Sequence, residues 1–128
     1  MKSFSIAVAG FLALSAPIFA HHGSRISYDL TQMVTLTWTV TEFQWQNPHV
    51  YVRFDVKDKD GKVTNWGAET YSPVVMTRGG WGRRTLKIGD KVTVTVWPSK
   101  IGTPLGFLSK LVHPDGHVTD LSNGAGPE

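Results

Sequence analysis

The sequence predicts a mainly β fold, a small closed barrel, and three observations carry that expectation. The first is period-two alternation of apolar and polar residues in "MVTLTWTV" (33–40), "VYVRFDV" (50–56) and "KVTVTVW" (91–97). β-Branched and aromatic residues in that rhythm mark strands with one buried face. The second is turn chemistry at short intervals: "KDKDG" (57–61), "LKIGD" (86–90) and "PDG" (114–116). The third is a single helical signal, "SPVVMTRGG" (72–80), between the third and fourth strands. Together they describe a five- to six-stranded antiparallel Greek-key barrel of the OB type with one short helix between strands 3 and 4. A β-sandwich would require more strands than the chain supplies.

Each element follows in order. In the first strand Val34, Leu36, Trp38 and Val40 share one face, and Thr35, Thr37, Thr39 and Thr41 share the other. The apolar parity switches at Phe43 and Trp45, so one extra residue, a β-bulge, is expected near Thr41–Glu42. "QNP" (46–48) breaks the run, and the second strand points Val50, Val52, Phe54 and Val56 inward. Asp60 and Gly61 are expected to supply positive φ angles in the hairpin to the third strand, residues 62–70. Ser72 caps a helix start, Pro73 fits its first position, and Gly79 or Gly80 ends it. So short a helix needs packing to persist. The fourth strand turns Val92, Val94 and Val96 inward; a loop (98–105), a fifth strand (106–113) and a short return strand (117–121) follow. Met33 and Met76 sit in apolar patterns and read as core.

Residues 1–20, "MKSFSIAVAGFLALSAPIFA", have the positive start, short apolar stretch and small final residue of a secretory signal peptide. The competing reading is an uncleaved anchor, but the run is short for a span and contains Gly10 and Pro17. The expected organisation is a leader over 1–20, an extension over 21–32, the barrel over 33–121 and a flexible tail over 122–128. No later apolar stretch is long enough to cross a membrane. Export places the mature chain in a bacterial periplasm or outside the cell. The 13 Lys and Arg against 10 Asp and Glu give a net charge of +3, and the leader takes Lys2 with it. A charge that weak argues against a nucleic-acid or anionic-lipid surface. With no cysteine, disulfide scaffolds, thiolate nucleophiles and cysteine zinc sites are excluded.

Several local patterns coincide: "HHG" after the leader, "TEFQWQNPHVYV" (41–52), "NWGAETYSP" (65–73), "RGGW" (78–81), "LKIGDKVTV" (86–94) and "DGHV" (115–118). They span nearly the whole mature chain. In them it resembles a family of small exported bacterial proteins of unknown function. The resemblance implies an exported β-barrel and no particular reaction. "VWP" (96–98) departs from it, because a histidine before the proline is expected there.

The histidine pair after Ala20 is the first candidate for chemistry. Cutting there would leave His21 with a free α-amine, and amine plus imidazole chelate one metal through two nitrogens. Cu(II) favours such tetragonal nitrogen sites. His22 or His49 would add a third nitrogen; the alternative is that both histidines are a loose polar start. Trp45, Trp66 and Trp81 lie near strand ends and either line a ligand pocket or plug the barrel, as does Trp97. The OB ligand face lies on strands two and three and would present Tyr51, Arg53, Trp66 and Glu69. His49, at the start of strand two, either faces a pocket with Trp45 and Glu69 or bonds a backbone carbonyl while Asn47 caps the turn. Arg78, Arg83, Arg84 and Lys87 around Trp81 read first as a solvated loop and then as a surface for an anionic ligand or partner protein. Only two glutamates lie inside predicted strands, Glu42 and Glu69; as paired carboxylates they do acid–base work only if the barrel brings them together, and nothing local says that it does. No catalytic set is recognisable. The expectation is a non-enzymatic periplasmic or secreted binding module that takes Cu(II), or else a metal-free accessory protein docking a partner or anionic ligand through an aromatic and arginine-bearing rim.

Overall fold

The computed structural model describes residues 27–123. Within them three strands precede one helix and three follow it: β1 (Val34–Gln44), β2 (Tyr51–Lys57), β3 (Val63–Glu69), α1 (Pro73–Arg78), β4 (Lys91–Pro98), β5 (Leu105–Val112) and β6 (Val118–Asp120). They hydrogen-bond in the order β3-β2-β1-β4-β5-β6, and β3 also pairs with β5. That last pairing closes five strands into the expected OB-like barrel and leaves β6 as an extra edge. It is parallel, with Gly67 opposite Leu105 and Glu69 opposite Phe107. The barrel is thus antiparallel everywhere except at its seam.

β1 makes closure feasible because it serves two neighbours. Its first half, Val34 to Thr39, pairs with β4; its second, Thr39 to Gln44, pairs with β2. The register slips between Val40 and Glu42, where the parity switch places the bulge. A bulge adds a residue to one strand only, so the strand bends and twists more strongly there.

The even-numbered faces of β1, β2 and β4 meet inside. Val50, Val52, Phe54, Val92, Val94 and Val96 are all buried, as their alternation requires. Trp38 lies edge-on to Phe54 with centroids 4.4 Å apart and also contacts Trp66. Each such side chain contributes roughly 1.5–3 kcal/mol by leaving water. Met76 of α1 is buried, so the short helix is held by its packing. Ser72 caps that helix, its Oγ accepting from the Val75 N–H at 3.4 Å.

A second buried cluster joins Tyr28, Trp97 and Phe107, with Tyr71 packed against it. It ties down the segment before β1: Asp29 N–H donates to the Pro98 carbonyl at 2.8 Å, and Lys100 N–H to the Ser27 carbonyl at 3.0 Å. Trp97 is therefore a core residue and no part of a rim.

Two local expectations are corrected. Met33 is exposed, because it precedes β1 and lies beyond the reach of the core. In the β2–β3 hairpin Gly61 alone has positive φ, +83°, and Asp60 does not. The loop spans five residues and is closed by the Asp58 carboxylate, which accepts from the Asp60 and Lys62 N–H groups at 2.9 Å. A two-residue primed turn is not required when a side chain does that work.

Candidate functional site

The outward face of β2 and β3 carries the residues out of step with the core. Tyr51 stands opposite Glu69, and Arg53 opposite Gly67. Gly67 is needed there because the Tyr51 ring lies across it: a Cβ at that position would sit 1.9 Å from the Tyr51 hydroxyl oxygen. The Arg53 guanidinium lies over the Tyr51 ring at 5.3 Å, and its Nε is 3.7 Å from a Glu42 oxygen.

His49 arrives at this face through the "QNP" corner, whose Asn47–Pro48 peptide is cis. Its neighbour Val50 is clamped between chain segments. Val50 N–H donates to the Tyr71 carbonyl at 2.9 Å, and the Val50 carbonyl accepts from Thr70 N–H at 2.9 Å and Thr70 Oγ1 at 2.8 Å. This clamp sets His49 beside Glu69, and His49 Nδ1 bonds Glu69 Oε1. The second carboxylate oxygen, Oε2, accepts from the Tyr28 hydroxyl at 2.6 Å. The Tyr28 phenol is pushed far above its ordinary range, by burial first and then by the bond to Glu69 and its charge. It therefore remains a donor at any physiological pH. The Tyr51 phenol is also raised by burial; Arg53 opposes that shift and Glu69 adds to it.

Because Glu69 is a carboxylate accepting at both oxygens, the proton of the His49–Glu69 bond belongs on Nδ1. Nε2 is then the ring nitrogen directed away from the carboxylate. This is the second-shell arrangement that orients histidine ligands in metal sites, and equally one that orients a proton acceptor. His49, Glu69 and Tyr28 line a cleft of about 400 Å³, with Tyr51, Arg53 and Gln44 among its other walls.

The structure thus brings together four residues that the sequence singled out: His49, Tyr51, Arg53 and Glu69. Trp66 is on the other face of β3, paired with Phe54 and packed against Trp38. Trp45 is half-buried against Phe43. Trp81 is buried, and its indole N–H donates to Thr119 Oγ1 at 2.9 Å. Trp81 therefore plugs the barrel, whereas Trp97 packs in the second cluster with Tyr28 and Phe107. Glu42 bonds Gln44 and faces Arg53, outside the His49–Glu69 pair. His21 and His22 lie outside the described residues. Sequence reasoning missed Tyr28, which lay in the supposed extension; its bond to Glu69 spans 41 positions, and no local pattern signals it.

Among the described residues no group of three or more histidine, aspartate or glutamate side chains could hold a metal ion. His49 Nε2 is thus one prepared donor, and a metal held there would need further donors from elsewhere. No helix among the described residues is long and apolar enough to cross a membrane. No curated protein and no solved structure matches the chain. The model of a family of unknown function, DUF6152, matches residues 9–108.

Proposed function

The chain belongs to that family of unknown function, and from this premise we propose that it is an exported, periplasmic, non-enzymatic binding module for Cu(II). In this reading the leader is cut after Ala20. The new terminus binds the ion through the α-amine and imidazole of His21, His49 Nε2 supplies a third nitrogen, and His22 is the reserve donor.

The observation that carries the reading is the Glu69–His49 pair. A histidine whose Nδ1 is fixed by a carboxylate presents Nε2 as a preoriented ligand, which is how proteins raise ligand basicity and fix the ring. Tyr28 supports it, because it bonds the same carboxylate and follows His21 by only seven residues. An extended chain of that length reaches about 23 Å, so a terminal amine is tethered within range of the cleft. Two or three nitrogens from amine and imidazole suit Cu(II) above the other divalent first-row ions. All must be unprotonated to bind, so affinity falls as pH drops below the range of the amine and imidazoles.

Mass spectrometry of protein recovered from the periplasm tests the first step, with His21 expected as residue one. Cu(II) titration of that mature protein tests the second. We expect His21→Ala to lose about 100-fold in affinity or more and His49→Ala about tenfold. Equal affinity in His21→Ala and the parent would remove the proposal.

A further inference from the structure

A second cleft, of about 290 Å³, lies where the α1–β4 loop meets the β5–β6 hairpin, and it shares no residue with the first. Arg84, Lys87 and Asp90 line it from the loop, and His113, Asp115 and His117 from the hairpin. The two imidazoles stack at 3.7 Å with their planes 11° apart. His113 is held from behind: Trp81 lies edge-on to it at 5.7 Å, and Thr119 Oγ1 bonds both Trp81 Nε1 and His113 Nε2.

Both acids in the cleft are committed to local bonds. Asp115 Oδ1 takes His117 Nδ1 at 2.5 Å and the His117 N–H at 3.0 Å. Asp90 Oδ2 takes the Lys87 N–H at 2.9 Å. The side chains of Arg84 and Lys87 have no ion-pair or hydrogen-bond partner among the described residues, whereas Arg53 and Lys110 each face a carboxylate. With neutral histidines the two cations and two carboxylates cancel. Once the histidines charge, the cleft becomes positive, and two stacked imidazolium rings repel each other unless a counter-ion sits beside them.

We propose that this cleft binds a small divalent oxyanion of the sulfate or phosphate class, held by Arg84, Lys87 and the His113–His117 pair, and that it does so preferentially in acid. Guanidinium and ammonium groups with imidazole N–H donors are the recognition set such an anion requires. Its size suits a small anion with a few waters.

Sulfate is the probe, because its charge does not change across the range. The full mature protein is titrated with sulfate at about pH 5.5 and about pH 7.5, at ionic strength matched with chloride, while the His113 and His117 ring C–H resonances are followed by NMR. We expect saturable shifts at both histidines and affinity about fivefold higher at the lower pH, the scale of one partly exposed ion pair. Arg84→Ala and Lys87→Ala, both at exposed positions, should each weaken binding about fivefold at the lower pH. His117→Gln should reduce the pH dependence, because only His113 is then left to charge in the cleft. Shifts that do not saturate, equal affinity at the two pH values, or an unchanged response in both cation variants would overturn the proposal.

Discussion

Glu69 is the residue on which the first cleft turns, because each of its oxygens serves a different partner, His49 and Tyr28. Replacing it with glutamine keeps the shape and changes the proton count. Tyr28 still donates to the amide oxygen, so the amide NH2 faces His49. His49 must then accept at Nδ1 and carry its proton on Nε2, which removes the lone pair from the cleft. Glu69→Gln should therefore switch the tautomer, visible in the imidazole 15N shifts, and weaken Cu(II) binding about 10–100-fold. An unswitched tautomer in that variant would show that Glu69 does not orient the ring. His49, Tyr51, Arg53 and Glu69 were legible in the sequence because alternation alone puts odd-numbered residues of β2 and β3 outside. The same rule takes Trp66 off that face, because its parity is that of Phe54 and not that of Glu69.

Among the elements, β5 carries the most constraint, since it pairs with β4 on one side and closes on β3 with the other. Gly106 lies in that seam, opposite Ala68. A Cβ there would come within 2.6 Å of Val96 Cβ and Cγ2, in a fully buried part of the core. Gly106→Ala should destabilise the barrel by about 1–3 kcal/mol through overpacking. Each kcal/mol corresponds to about 4–8 °C in melting temperature for a domain of this size. A thermal melt followed by circular dichroism checks it, and an unchanged midpoint would mean that the seam can open to admit the methyl group. The elements themselves, including the bulge and the Ser72 cap, were readable because propensity, period and capping are local properties. The parallel β3–β5 seam was not, because a strand's period names the face it buries and not the strand it meets.

Across the whole molecule, acid acts on the fold first through the second cleft. Burial, and then repulsion from His117, lowers the His113 pKa below its ordinary 6.5, with Asp115 and Asp90 opposing the shift. The unfolded chain therefore takes up this proton at higher pH than the folded one. Stability contributed by neutral His113 is complete above about 6.5 and declines as pH falls from there toward the folded-state pKa. A second decline follows below the ordinary carboxylate value of 3.8, because Asp29, Asp115 and Asp120 are held below it by hydrogen bonds to Thr31, His117 and Ser122. Denaturant melts in low-sulfate buffer from pH 7 to about pH 5 should show falling stability, and His113→Gln should flatten that slope. A parent slope of zero would contradict the burial argument.

By itself the sequence determined the strands, their inward faces, the bulge, the helix cap and the absence of cysteine chemistry, all properties written within a few neighbouring residues. It also offered a pocket shared by His49, Trp45 and Glu69 as one reading of the "NPH" corner. Only the tertiary structure decided that His49 and Glu69 bond each other, that Tyr28 completes them from a segment read as an extension, and that His113 and His117 stack beside Arg84 and Lys87. Those pairings join residues from different strands and loops, and barrel closure sets their distances.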